Sequence, residues 1–548
     1  MIDILIKGAD IIDGSRNPAY KGDVAIKDNK IVKIGEVNEP SEKTIYAHGL
    51  VLSPGFIDVH GHSDMFAFVD PDRSSKLCQG ITTEICGQCG LGPAPVGSEY
   101  ISQYTSYFKS QGAPIYAESN TFTTFGKYLD YMSTLPLGIN MAYFIPHGTV
   151  RMAAMGLSPE KPTARQLEKM TELVDEGMKR GALGLSSGLM YAPGMFADSS
   201  ELEALCKVVG QYGGIYTSHI RDQGNQLEEC VEETIRIAES SGARANISHH
   251  KASGKNNWGK VKNSCSMIHN AKIPVMHDVY PYAASSTLIR STLPPNVQKM
   301  DQDDIITYLK DVNNHEQLKK SIFNPDKNFE SPLASCGYDG ILIFDAAHTK
   351  DAIGKTIEQY ADYLGIQPFD AFIKILTENS LGAGYIGFSM SEDDVETLVA
   401  DSLCMFGTDG LYVPGMPMTH PRAIGTFPRI LGRYVREKHV LTLEEAIRKM
   451  TSLPAKFYGL ENKGEINVGM DADIVLFDAE RIIDHSDYQQ PLLQNEGIHF
   501  VIVNGKIAVE HDKYLGIKNG ALLKARQSKD LSENFTFSTK MSSFINMG

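Results

Sequence analysis

No apolar stretch of the 548-residue chain approaches the ~20 residues that a bilayer-spanning helix needs, so a membrane span is not expected. The first residues, MIDILIKGADIIDG, lack the charged-then-apolar layout of a secretory signal, and a cytoplasmic protein is expected. No basic run is present, and 67 acidic against 52 basic side chains give a formal charge of -15. A nucleic-acid surface, which needs clustered Lys and Arg, is therefore excluded. The eight cysteines are too sparse for a disulfide framework in so long a chain, and in a reducing compartment they should be thiols. Internal repeats and low-complexity tracts are also missing, and a composition 42% hydrophobic and 22% charged argues against disorder or a fibre.

What is there divides into three parts. Residues 1–52 read as short alternating strands (ILIKGADII, DVAIKDNKIVKIGE, TIYAHGLVLS) separated by Gly, Asn and Asp turns. A matching set near the other end (GEINVGMDADIVLFD, FVIVNGKIAVE) lies within 456–526, so both termini are expected to build one small β-sandwich domain. Between them, over 53–455, apolar runs of strand length alternate with helical stretches, the sign of βα units around a parallel sheet. Eight candidate strands can be counted: GFIDVHGH, ITTEICGQ, NMAYFIPHG, ALGLSSGL, GIYTSHIRD, ARANISHHK, IPVMHDVYPY and SLCMFGTDG. Eight is the count of a closed (β/α)8 TIM barrel, so the fold class expected is α/β. Thr163 should cap the helix ARQLEKMTELVDEGMKRG, and Asn225 to Ser241 should form another. The span between strands seven and eight far exceeds one helix, which predicts an inserted subdomain over about 292–344. A polar tail, 527–548, should be loosely held.

In a TIM barrel the active site gathers at the C-terminal ends of the strands, so polar residues that close apolar strands carry chemistry. Here His60 and His62 end strand one, Cys89 follows strand two, His219 ends strand five, His249 and His250 end strand six, and Asp409 ends strand eight. His60-x-His62 at period two sends both imidazoles to one side of an extended chain. Alone, such a pair is as readily a surface feature. With His219, His249 and Cys89 at matching points of other strands, a metal becomes the better reading. Imidazoles with one thiolate suit Zn²⁺, which accepts three protein ligands and leaves a fourth position for water whose pKa falls to about 7. Asp409, in GTDG, is then the proton carrier, its alternative being a cap on the turn into Gly410.

ITTEICGQCGLG contains a Cys-x-x-Cys, Cys86 and Cys89, with further readings as a redox pair or half a structural zinc site. A redox pair normally starts a helix, whereas this one closes a strand. A structural zinc site needs a second pair that the other six cysteines do not form. Cys86 is expected to be a small core residue and Cys89 the metal ligand.

PGFIDVHGHSD resembles the strand-one signature of the amidohydrolase superfamily. GITTEICGQCGLGPAP, GALGLSSGLMYAPG, YTSHIRDQG, ISHHKASG, YPYAASST, GTDGL, HPRAIGTFPRILGRY and MTSLPAKFYGLENKGEINVGMDADIVLFD together resemble the D-aminoacylase (N-acyl-D-amino-acid deacylase) family, from Met1 to about Arg526. The resemblance implies one tightly held zinc on Cys89, His219 and His249, and a weaker adjacent metal position at His60, His62 and Asp409. Superfamily members with a bridged metal pair often use a carboxylated lysine on strand four. ALGLSSGL has no lysine, so a cysteine thiolate bridge is the expected substitute. The family's substrate carboxylate would be held by Arg422, Lys251, Tyr191, Tyr280 and Ser286, a planar cationic fork with phenol and hydroxyl donors. The plainer alternatives are a solvated Lys251, a packing ring at Tyr191 and a helix-entry charge at Arg422. Two departures fall near the site: Gln88 where the family has Asn, and Ser285 where it has Gly.

The expected reaction is hydrolysis of the amide of an N-acyl-D-amino acid, with that small molecule as partner and neither nucleic acid nor membrane. A homo-oligomer is compatible with the sequence, which does not set the oligomeric state. Rival readings are cyclic-ureide opening or another amide cleavage on the same scaffold, a non-catalytic scaffold protein, and a thiol redox protein using Cys86 and Cys89.

Overall fold

The computed structural model describes residues 1–66, 68–110, 121–327 and 329–525; the polar tail expected at 527–548 lies outside them. The eight apolar runs named above all contain strands: β1 Phe56–Asp58, β2 Ile81–Cys86, β3 Asn140–Tyr143, β4 Gly184–Gly188, β5 Ile215–His219, β6 Arg244–Ile247, β7 Val275–Val279 and β8 Cys404–Phe406. Every pairing between neighbours is parallel, with Ile145–Pro146 carrying β3 on to β4. The ring closes between β8 and β1 through Val59 N–H to Phe406 O (3.3 Å), Asp409 N–H to His60 O (2.8 Å) and a parallel bridge Gly61–Gly410. Nearly every strand residue is buried, which is why these segments read as continuous apolar runs and not as alternating ones. Ile57, Ile85, Ala142, Ile215, Met276 and Met405, from six of the strands, form one cluster that fills the barrel interior.

The helices follow local signals. Helix α1, Ala164–Lys179, starts at a reciprocal cap in which Thr163 accepts from Gln166 N–H and Gln166 accepts from Thr163 N–H. It buries Met170, Leu173, Val174, Gly177 and Met178 on one face. Helix α2, Leu227–Ser241, ends at Gly242, whose φ of 73° suits a residue without a side chain.

Strands from both ends of the chain join one nine-stranded sheet, in which Ile474–Phe477 pairs antiparallel with Val51–Pro54. Between β7 and β8 the chain makes an excursion with its own three-stranded antiparallel sheet, Ser285–Leu288, Gly384–Gly387 and Ile341–Asp345, the second in the middle. The excursion has a separate apolar core that includes Leu309, Leu318, Leu333, Tyr360 and Phe372, and its strand Ser285–Leu288 reaches the barrel mouth. No helix of the described residues is long and apolar enough to cross a membrane.

Candidate metal centre and substrate pocket

Six donors from five strand ends meet at the mouth. Cys89 Sγ lies 3.3 Å from His60 Nε2, 3.4 Å from His249 Nε2 and 3.7 Å from His219 Nδ1. His62 Nε2 is 3.0 Å from Asp409 Oδ1, and His60 Nε2 is 3.8 Å from the same oxygen. Two sets of three ligand atoms each fall within 4.8 Å: Cys89, His219, His249 and His60, His62, Cys89. The sulfur belongs to both sets.

The backbone bends to bring these groups together. Cys89, His249 and Asp409 all have positive φ (54°, 34° and 46°), each at the first turn after its strand. Left-handed backbone at residues with a Cβ costs of order 1–3 kcal/mol each and is held only where the surroundings enforce it. One such enforcement is visible at β4: a Cβ on Gly188 would collide with the Cys89 carbonyl, so the cysteine loop lies directly on the end of that strand. Gln88, buried beside it, donates to Val59 O (2.9 Å) and ties the loop to β1.

Burial alone would push the Cys89 thiol up, but His60 and His249 outweigh it and hold the thiol well below its ordinary value. Burial, then the Lys251 charge, brings His249 down to about 3, and burial also lowers His219. These imidazoles are neutral, the state a metal requires. Burial opposes ionisation of Asp409, yet Arg422 and His62 keep it a carboxylate far below the usual range. His62 is raised to about 9 because hydrogen bonds to Asp409 and Cys89 exceed its burial penalty. His219 Nε2 is buried without a partner. A borderline-soft divalent ion fits this donor set of one thiolate, neutral imidazoles and a carboxylate.

The five residues expected around the substrate line the same pocket. Arg422 Nη1 lies 2.8 Å from Asp409 Oδ2, and its guanidinium sits 4.5 Å from the Tyr280 ring centre. Lys251 Nζ is 5.4 Å from that ring centre, 2.9 Å from His249 Nδ1, and donates to Gln223 Oε1 at 3.0 Å. Tyr191 OH is 3.2 Å from Thr287 Oγ1, next to Ser286, whose carbonyl accepts from Arg422 Nη2 (3.1 Å). Burial lowers Lys251 to about 8.

A family model described as the amidohydrolase family matches residues 43–257 and 346–509. The chain belongs to the amidohydrolase family. It is 32% identical to an N-acyl-D-glutamate deacylase of Alcaligenes xylosoxydans xylosoxydans, over 92% of this chain and 93% of that protein. A crystal structure of the N-acyl-D-glutamate deacylase of Bordetella bronchiseptica, complexed with zinc and a phosphonate that mimics the tetrahedral intermediate, superposes with a TM-score of 0.79. It is 30% identical and covers 96% of this chain and 100% of that one. A D-aminoacylase structure with a binuclear metal center gives a TM-score of 0.80 at 30% identity, with the same two coverages.

Sequence reading missed several residues that hold this amidohydrolase site together. Asp278, on the inner face of β7, lies 3.1 Å from His60 Nδ1 and accepts from His249 N–H (2.8 Å) and Asn246 (2.7 Å). Gln223 Nε2 is 3.0 Å from His249 Nδ1. Beneath the mouth, Lys76 Nζ contacts Asp58 (2.6 Å), Glu84 (3.1 Å) and Thr408 (2.6 Å), a fully buried set that anchors the residue before Asp409. Asp58 stands two residues before His60, but Ile57 and Val59 on either side of it pack into the barrel interior, so alternation turns Asp58 to the opposite face and the His-x-His spacing does not flag it.

Proposed function

We propose that this chain hydrolyses the amide bond of N-acyl-D-amino acids to a carboxylate and a free D-amino acid, using a bound zinc ion. The observation that carries the reading is the placement, in one pocket, of the Cys89, His219 and His249 cluster beside the Asp409–Arg422 ion pair. In the same reading Cys89, His219 and His249 hold one ion tightly, while His60, His62 and Asp409, sharing the sulfur, offer a second and weaker position. Strand β4 carries no lysine and the cysteine loop lies over Gly188, so Cys89, which belongs to both donor sets, would be the residue to serve both positions.

Bound zinc supplies Lewis-acid polarisation of the acyl oxygen and a water acidic enough to attack at neutral pH. Asp409 takes the proton of the attacking water and returns it to the leaving nitrogen. Arg422 and Lys251, with Tyr191, Tyr280 and Ser286, grip the α-carboxylate and orient one stereoisomer. Arg422 also holds Asp409 at 2.8 Å. A substrate carboxylate that shares the guanidinium loosens this hold, so Asp409 gains basicity when the substrate is in place.

The three-part division supports this assignment: 53–455 as the catalytic barrel, 292–344 as the heart of the excursion, and 1–52 with 456–526 as a β-sandwich that the shared nine-stranded sheet favours. A cytoplasmic setting suits eight cysteines that are free thiols. The test is a panel of N-acyl-D- and N-acyl-L-amino acids against zinc-loaded and chelated protein. Hydrolysis of the D series alone, lost on chelation and restored by zinc, is expected; equal rates on both enantiomers or indifference to chelation would sink the proposal.

A further inference from the structure

A carboxylate taken out of water needs a cation or several donors to replace its hydration. Among the described residues that line the pocket, the lysines and arginines are two, Lys251 and Arg422. Both lie against the same Tyr280 ring, so one bound carboxylate engages both, and under the deacylase reading that carboxylate is the α-carboxylate. His420 offers no donor to a second one: its Nε2 is 3.0 Å from Ala284 O and its Nδ1 accepts from Arg422 N–H at 3.0 Å. His62, His219 and His249 face the thiolate and Asp409.

Among the described residues, the remaining wall has no further Lys or Arg; it mixes apolar surface with neutral hydroxyls such as those of Ser253, Ser285, Ser335, Tyr385 and Ser389. Met65, Phe66 and Met190 come from loops after β1 and β4, while Leu288, Pro332 and Phe344 come from the excursion. Beside Asp409, which Arg422 already pairs, the wall carries one more acid. Glu330 accepts from Gln223 N–H (2.8 Å), and burial with Asp222 nearby raises its carboxyl to about 7. A substrate with a negative side chain would meet no second cation there, only apolar surface, neutral hydroxyls and, above pH about 7, the like charge of Glu330.

We infer that the D-amino acid this pocket accepts has an uncharged, apolar side chain, and that N-acyl-D-glutamate and N-acyl-D-aspartate are excluded. The inference rests on the deacylase reading and departs from the N-acyl-D-glutamate deacylase that the chain resembles at 32% identity.

The experiment is kcat/KM for zinc-loaded enzyme on N-acetyl-D-methionine, -leucine, -glutamine, -glutamate, -aspartate and -lysine. Methionine or leucine should exceed glutamate and aspartate by at least ~100-fold, the order of penalty for a buried charge without a partner. Glutamine, matched to glutamate in size, should fall between. A best rate on glutamate, aspartate or lysine overturns the inference and leaves the deacylase reading standing. Hydrolysis of none of the six overturns both. Glu330→Gln should raise the glutamate-to-methionine ratio by roughly tenfold through loss of a like charge; an unchanged ratio overturns the part assigned to Glu330.

Discussion

ISHHK holds two adjacent histidines that enter two clusters of identical composition. His249 joins His219 and Cys89 at the barrel mouth; His250 joins His277 and Cys265 behind β6 and β7, with Cys265 on helix α3, Val261–His269. Each set places two imidazole nitrogens and a sulfur within 4.8 Å. Their surroundings differ. At the mouth, neighbouring imidazoles draw the thiol down and the cluster lines an open pocket. Behind the strands, burial and then Asp401 push the Cys265 thiol up to about 12, while His250 Nε2 is engaged by Ser264 Oγ (2.8 Å) and His277 Nε2 by Asp401 (3.1 Å). Donor identity is therefore not enough; the thiol must be deprotonated and reachable.

The largest expected effect follows from that contrast. Cys89→Ala should abolish tight zinc binding and with it activity, whereas Cys265→Ala should keep the wild-type zinc content; elemental analysis after gel filtration checks both. Equal zinc loss in the two variants would break the distinction. Asp409→Asn comes next, with zinc retained and kcat down by about 10³-fold, within the range for a lost general acid–base. A fully active variant would remove Asp409 from proton transfer.

A smaller effect tests the link between Arg422 and Asp409. An N-acyl amine lacking the α-carboxylate leaves Arg422 on Asp409, so it should lose kcat as well as affinity. An unchanged kcat with raised KM would mean that the carboxylate only anchors. Lys251 adds a pH signature: with its ammonium lowered by burial to about 8, it is charged below that pH and neutral above it. KM for a carboxylate substrate should rise as pH passes about 8, and Lys251→Met should start high and stay flat across the same range.

The barrel strands were legible because strands buried on both faces read as apolar runs, and polar residues at their ends stand out. His60, His62, Cys89, His219, His249 and Asp409 were found in that way, and α1 by its Thr163 cap. The pattern alone does not say which histidine of ISHHK faces the mouth, since a turn with φ of 34° at His249 decides it. Asp278, Gln223 and Lys76 were missed for a different reason. Lys76 links Asp58 to Thr408 across the closure between β1 and β8, and no local spacing connects residues 350 apart. Glu330 lies on the excursion, whose path over the mouth follows from tertiary packing.

The smallest effect concerns the two cysteines of ICGQC. Both are free thiols, three positions apart, yet Cys86 ends β2 inside the core while Gly87 and Cys89, with φ of 75° and 54°, turn the chain so that the second sulfur reaches the mouth. Burial leaves Cys86 a neutral thiol, raised well above its ordinary value, where the imidazoles make Cys89 a thiolate. Cys86→Ala therefore removes packing and no ligand. The expected cost is about 1 kcal/mol of stability, with zinc content and kcat unchanged. Loss of zinc in this variant, or a dithiol requirement for wild-type activity, would return the pair to redox or joint metal chemistry; retention of both separates two cysteines that spacing alone would group.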